Sequence, residues 1–266
     1  MAKNEGERKM LFDIRGRRKN VVKVVYAILA LLMGLSLFIL AGPIGGIFNT
    51  GNSASEAAEQ FEDQAATIER KLKKDPENPD LLLALTRQRI NAGNTLSTIN
   101  PETGVPELTI EARQQYEQAS NSWSEYLKAT DEPSPSVAQL TAPMFFNLAE
   151  SSSTVGEAEA NVAAAAAAEK IIAEARPTLN SLSTLAIYTY FTFDYAAAEK
   201  AGKEAQKFAS SKFERENLEN QLEETKKAAE ETEKRFAEFK KATKGQGKEA
   251  LQSPLGGLSG EGTLSP

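Results

Sequence analysis

Residues 24–41, VVYAILALLMGLSLFILA, run for 18 positions without a charged side chain. At a rise of ~1.5 Å per residue, that run and the valines before it cover roughly 27–31 Å as a helix, the thickness of a bilayer's hydrocarbon core. Arg15, Arg17, Arg18, Lys19 and Lys23 stand directly upstream, the next charge is Glu56, and no basic residue follows until Arg70. By the positive-inside rule these five cations are topology anchors that keep the N-terminus cytoplasmic. The expected layout is a basic cytoplasmic segment over 1–20, a transmembrane helix over 21–42 and a linker over 43–53. The rest of the chain then lies outside the plasma (inner) membrane, which is crossed once.

A cleaved signal peptide has a shorter apolar stretch, about 7–15 residues, ending in small residues. Here the one plausible site, Leu40-Ala41-Gly42, is followed by Pro43. A lipoprotein is excluded because the chain has no cysteine to acylate. A core helix would keep one polar face, whereas this run is apolar all round apart from Tyr26 and Ser36. Pro43, Gly45 and Gly46 end it.

Charge divides the chain at the same point. Residues 1–23 carry eight basic and three acidic side chains, so the remainder of a chain with net charge −6 carries −11. An acidic domain repels nucleic acid, and the basic segment sits where anionic headgroups would be, so the expected partners are the lipid bilayer and proteins, not nucleic acid. With neither His nor Cys, the commonest general base, metal ligand and thiolate nucleophile are all missing. No phosphate loop, nucleophile elbow or metal-ligand cluster is visible. No catalytic residue, metal or cofactor is expected.

Beyond the linker the pattern is helical. Phe61, Ala65, Ile68 and Leu72 form one stripe of a helix over Ser53–Lys74, with Ser53 and Glu56 spaced as a capping box. Glu56, Glu59, Glu62 and Asp63 read as a solvated face near a helix N-terminus rather than a cation site. In DPENPD, Asn78 is placed to cap a helix that Pro79 opens, that carries Leu82, Leu85 and Ile90, and that Gly93 stops. Near the C-terminus, Leu218, Leu222, Thr225, Ala229, Thr232, Phe236 and Phe239 alternate spacings of four and three, a seven-residue seam. Its Thr-Ala-Thr middle offers little burial, so a helix that caps the domain is preferred to one that self-associates. Ser211 and Glu214 are spaced for a capping box at its start, and Glu223–Lys227, Glu230–Lys234 and Glu231–Arg235 would support its exposed face.

DPENPDLLLALTRQRINAGN resembles the junction of two tetratricopeptide repeats, 34-residue helix–turn–helix units. Asp75-Pro76, Leu82, Leu85 and Gly93 match that motif, and Thr86 departs from it where a small residue stands in the family. A 14-residue segment, Asn94–Glu107, interrupts the unit. Ala112, Tyr116 and Ala119 then restore the second helix, which Trp123, Tyr126 and Leu127 extend. A similar unit returns with Leu182, Leu185 and Ala186, then Tyr195, Ala198 and Ala205, although Gly202 replaces a bulky residue. Between the two lies a degenerate pair in which Ser134-Pro135 suits a start, Pro143 is expected to kink the first helix, and Ala163–Ala168 offers a smooth face. The resemblance spans about residues 64–209 and is weakest in its middle.

The helical periodicities, with the resemblance, give an expected all-α fold: the transmembrane helix, a stack of tetratricopeptide-like hairpins over 54–209, and a capping helix over 210–243. The Gly/Ser/Pro tail, 244–266, is too poor in apolar residues to fold. Stacked hairpins build a concave surface that takes a peptide or partner helix. Counting from the matched positions, the candidate groove is Asp80, Leu83, Arg87 and Ile90 with Asn180, Ser183, Ile187 and Tyr190. The aromatic group Tyr188, Tyr190, Phe191, Phe193 and Tyr195 reads mainly as core. The layout also resembles tetratricopeptide ancillary subunits of the bacterial Sec translocon, which implies translocon or envelope proteins as partners. MLFDIRGRRK, from Met10, is similar to the start of actinobacterial anchored repeat proteins, so Met1 and Met10 are both candidate starts. Three function classes follow: an interaction module, a self-associating envelope protein acting through the last helix, and an enzyme built on a carboxylate pair or a Ser–Lys dyad. The first fits best.

Overall fold

The structure, a computed structural model, describes residues 51–99 and 106–242. The apolar run, its five basic anchors and the tail lie outside the described residues. Among the described residues no helix is long and apolar enough to cross a membrane. From Ser55 onward the described helices belong to one compact unit.

Eight helices appear among the described residues: α1 Gly51–Leu72, α2 Pro79–Leu96, α3 Ile110–Ala129, α4 Pro135–Glu150, α5 Val155–Ala175, α6 Leu179–Tyr190, α7 Tyr195–Gln206 and α8 Lys212–Ala242. The 14-residue interruption is not wholly irregular, because Thr98–Ile99 (β1) pairs antiparallel with Pro106–Glu107 (β2).

Polar side chains set most of the helix starts. Asn78 accepts from the Leu81 amide at 3.1 Å with Pro79 in the first position, and Thr109 accepts from Ala112 at 3.0 Å. Thr154 and Asp194 cap α5 and α7 in the same way, and Thr178 and Ser181 form a reciprocal box on α6. Each cap satisfies an amide that would otherwise lack a partner, worth ~1 kcal/mol. Helix α1 begins ahead of Ser53, so the expected box there is not a cap. At α8 the Glu214 amide donates to Ser211 Oγ at 3.1 Å, and the Glu214 carboxylate reaches back to the backbone amides of both Ser210 and Ser211, as the expected box requires.

Three hairpins, α2–α3, α4–α5 and α6–α7, stack in order, and α8 lies along α6 and α7. These stacked hairpins are compatible with a tetratricopeptide-like repeat. Polar bonds join α1 to the stack, Glu69 to Arg89 and Glu62 to Gln115, and Arg113 bridges the first two hairpins through Ser151 and Glu157. Trp123, Tyr126, Phe145, Phe146, Tyr188 and Phe191 share one continuous core.

Two glycines are explained by close approach. Helix α2 runs three residues past Gly93, so that glycine is not a stop signal. A Cβ there would lie 2.4 Å from the Tyr116 ring, so glycine is what lets α3 come close. At Gly202 the space belongs to Leu222 of α8, whose Cδ1 would stand 2.6 Å from a Cβ. The departure from the repeat pattern thus makes room for α8. Its seam residues Leu218, Leu222, Ala229, Thr232 and Phe236 are buried in the stack. Lys226–Glu199 (2.8 Å) and Lys240–Glu159 tie α8 to α7 and α5. Of the three expected pairs along α8, Glu223–Lys227 closes at 2.8 Å, whereas Arg235 donates to Thr232 at 3.1 Å.

Candidate binding cleft

Helices α4 and α6, the first helices of the second and third hairpins, bring no Cα atoms within 8 Å of each other, while α2 and α4 do. Between α4 and α6 opens a cleft of about 690 Å³, within the usual range for ligand pockets. One wall is Gln139, Pro143, Phe146 and Asn147 of α4, and the other is Asn180, Thr184 and Tyr188 of α6. Glu169, Ile172 and Arg176 of α5 and its C-cap lie between them.

The walls follow from local sequence. Pro143 inside α4 has no amide hydrogen, so the Gln139 carbonyl loses its i+4 donor on a helix whose face lines the cleft. Phe146 and Tyr188 stack across the two hairpins with centroids 4.9 Å apart. Ser181 holds the α5–α6 corner, donating to the Arg176 carbonyl at 2.8 Å and closing the cap with Thr178.

Glu169 is the unusual member. The buried seam of α5 runs Ala158, Val162, Ala165, Glu169, Ile172, with spacings of four and three. A carboxylate therefore occupies a core position, only 7 % exposed, and makes no hydrogen bond or ion pair among the described residues. Burial pushes its carboxyl up to about 7, because a charge in low dielectric loses its hydration. The Tyr188 phenol is raised by burial first and then by the charges of Glu169 and Glu150. Burial also raises Glu150, whose Oε1 is buried without a hydrogen-bond partner. Sequence reasoning missed Glu169. Its signal is a single acid on the apolar seam of an alanine-rich helix.

The eight expected groove residues are divided by the structure. Asp80, Arg87 and Asn180 are exposed, and Asn180 lines the cleft. Leu83 is half-buried against the core, and Ser183 is half-buried with its hydroxyl donating to the Asn180 carbonyl at 2.9 Å. Ile90 (1 % exposed), Ile187 (6 %) and Tyr190 (4 %) are core, so they present nothing to a partner. Ile90 continues the Leu82–Thr86 row at intervals of four. Ile187 and Tyr190 point into the third hairpin, with Tyr190 against Tyr195. Tyr188 is the α6 aromatic that reaches the cleft.

Leu182 and Leu185, expected as packing residues, are only half-buried. They line a second, apolar groove of about 510 Å³ between α5, α6 and α7, with Ala166, Ala173 and Ala201. Among the described residues no three His, Cys, Asp or Glu side chains gather as a metal cage. No protein family matches the chain, and no match is found among curated proteins or solved structures.

Proposed function

We propose that this chain is a membrane-anchored interaction protein whose tetratricopeptide-like stack holds a segment of a partner polypeptide in the α4–α6 cleft. The observation that carries the reading is the cleft itself. It lies between two hairpins, with stacked aromatic rings for apolar contact and the amides of Gln139, Asn147 and Asn180 to meet a peptide backbone. Such a mixture of apolar wall and few polar groups suits recognition of an extended chain. The anchor is read from residues 24–41 and the cations before them. On that reading the stack is extracytoplasmic and its partners are translocon or envelope proteins.

The test places a photo-cross-linking residue at Thr184 or Asn180 of the full chain in its native membrane, with Lys128 on α3 as the reference position. The expected result is a polypeptide adduct from the two cleft positions and none from Lys128. Adducts from Lys128 alone would overturn the cleft as the binding surface. For topology, protease added to intact spheroplasts should digest the region after residue 50. Protection of that region, with cleavage in the first 20 residues, would reverse the orientation.

A further inference from the structure

We propose that Glu169 is the receptor for a primary ammonium group, the side chain of a lysine in the segment that enters the α4–α6 cleft. This deepens the reading that the cleft takes a polypeptide. The observation is a carboxylate on the cleft lining, more than nine-tenths buried, with no hydrogen bond or ion pair of its own. Buried charges are found paired, because an unpaired one forfeits its hydration without compensation. Within the described protein Glu169 has no such counterpart, and it opens onto a space large enough to admit one.

The surroundings select the sign. On α4, the side-chain oxygens of Gln139 and Asn147 and the Gln139 carbonyl freed by Pro143 are acceptors. The acid of that helix, Glu150, is close enough to raise Tyr188 and adds negative potential. On α6 the titratable group that lines the cleft is the Tyr188 phenol, neutral at physiological pH, while Tyr190 faces the third hairpin. Among the described residues the one cation lining the cleft is Arg176. It stands seven residues along α5 from Glu169, about 10 Å by helical rise, and forms no ion pair with that carboxylate. An ammonium group carries three donors and no acceptor, and the cleft lining offers acceptors along with one buried carboxylate. The methylene stem of a lysine would lie along Phe146 and Ile172.

The experiment uses the full chain in a mild nonionic detergent and two probes of matched size, N-acetyl-lysine methylamide and N-acetyl-norleucine methylamide, followed by ligand-observed NMR. At pH 7.5 the lysine probe should bind at least tenfold more tightly than the norleucine probe. Its affinity should fall roughly tenfold by pH 6, as Glu169 takes up its proton, while that of norleucine stays level. Glu169→Gln should erase the preference. Should that variant fail to fold, the pH dependence of the native chain decides alone. Equal affinities, a pH-independent preference, or a preference retained in Glu169→Gln would overturn the ammonium receptor. Cross-links at Thr184 that persist in that case would leave the wider polypeptide reading standing, and their absence would remove both.

Discussion

The junction of α2 and α3 within the first hairpin is closed, and the junction of the second and third hairpins is open. At the first, Gly93 lets Tyr116 lie on α2, Thr86 Oγ1 sits 2.9 Å from Ser122 Oγ, and Arg89 and Arg113 reach across to acids on other elements. At the second, α4 and α6 touch through the Phe146–Tyr188 stack, and Glu169 is buried beside a cleft without a partner. Both junctions are helix on helix, yet one fills its space with small residues and paired charges. The other keeps space and leaves a charge uncompensated. Natural folds tolerate such local conflicts where function is placed, so the two junctions should respond differently to mutation.

The largest effect should come from the closed junction. Tyr116→Ala removes a ring buried between α2 and α3 and should cost about 3–5 kcal/mol in urea unfolding. A loss below ~1 kcal/mol would mean that this junction is no better packed than the cleft.

Next comes a change that should stabilise. Glu169 titrates near 7 in the fold against an ordinary 4.5, so between those values the native state holds a proton that the unfolded chain has released. Stability then falls as pH rises through that window and levels off above it. Glu169→Gln removes the titration. It should leave stability nearly unchanged at pH 4 and raise it by up to roughly 3 kcal/mol at pH 8, since each tenfold change in proton affinity is worth ~1.4 kcal/mol. Parallel pH profiles for the two proteins would show that Glu169 is not an uncompensated charge.

Much of this architecture is legible in the sequence. Asn78-Pro79 and Ser211 mark helix starts because a cap is a local bond, made by the residues that specify it. The four-three seam of α8 likewise declares its buried face, though not what covers it. What was illegible depends on neighbours in space. Gly93 reads as a stop until Tyr116 is seen across from it. Ile187 and Tyr190 fall on the inner face of α6 because helix rotation is set by packing, which a degenerate motif does not specify. Glu169 looks like one more charge among alanines until the seam of α5 is traced through it.

A pair of glycine substitutions sharpens the contrast at smaller scale. Each Gly→Ala change favours helix by up to ~1 kcal/mol, so the sign depends on what the new methyl meets. At Gly93 it meets the ring of Tyr116, which cannot fold away, and overpacking there should cost about 1–3 kcal/mol. At Gly202 it meets Leu222 Cδ1, the end of a side chain that can rotate, so the net change should be close to zero. Equal losses at both sites, measured by thermal unfolding, would mean that α8 is held as rigidly as the first hairpin.

The smallest effect on stability should come from the rim of the cleft. Arg176 and Asn180 are exposed and line the opening, and exposed positions away from caps and core change stability by less than ~0.5 kcal/mol. Neither side chain forms the α5–α6 corner, whose bonds run through the Arg176 carbonyl, Thr178 and Ser181. The double variant Arg176→Ala/Asn180→Ala should therefore keep the melting temperature within a few degrees while weakening cross-linking from Thr184. Asp80→Ala/Arg87→Ala, on the exposed part of α2 at the closed junction, should leave that cross-linking unchanged. A loss in the second pair and none in the first would move binding from the open junction to the closed one.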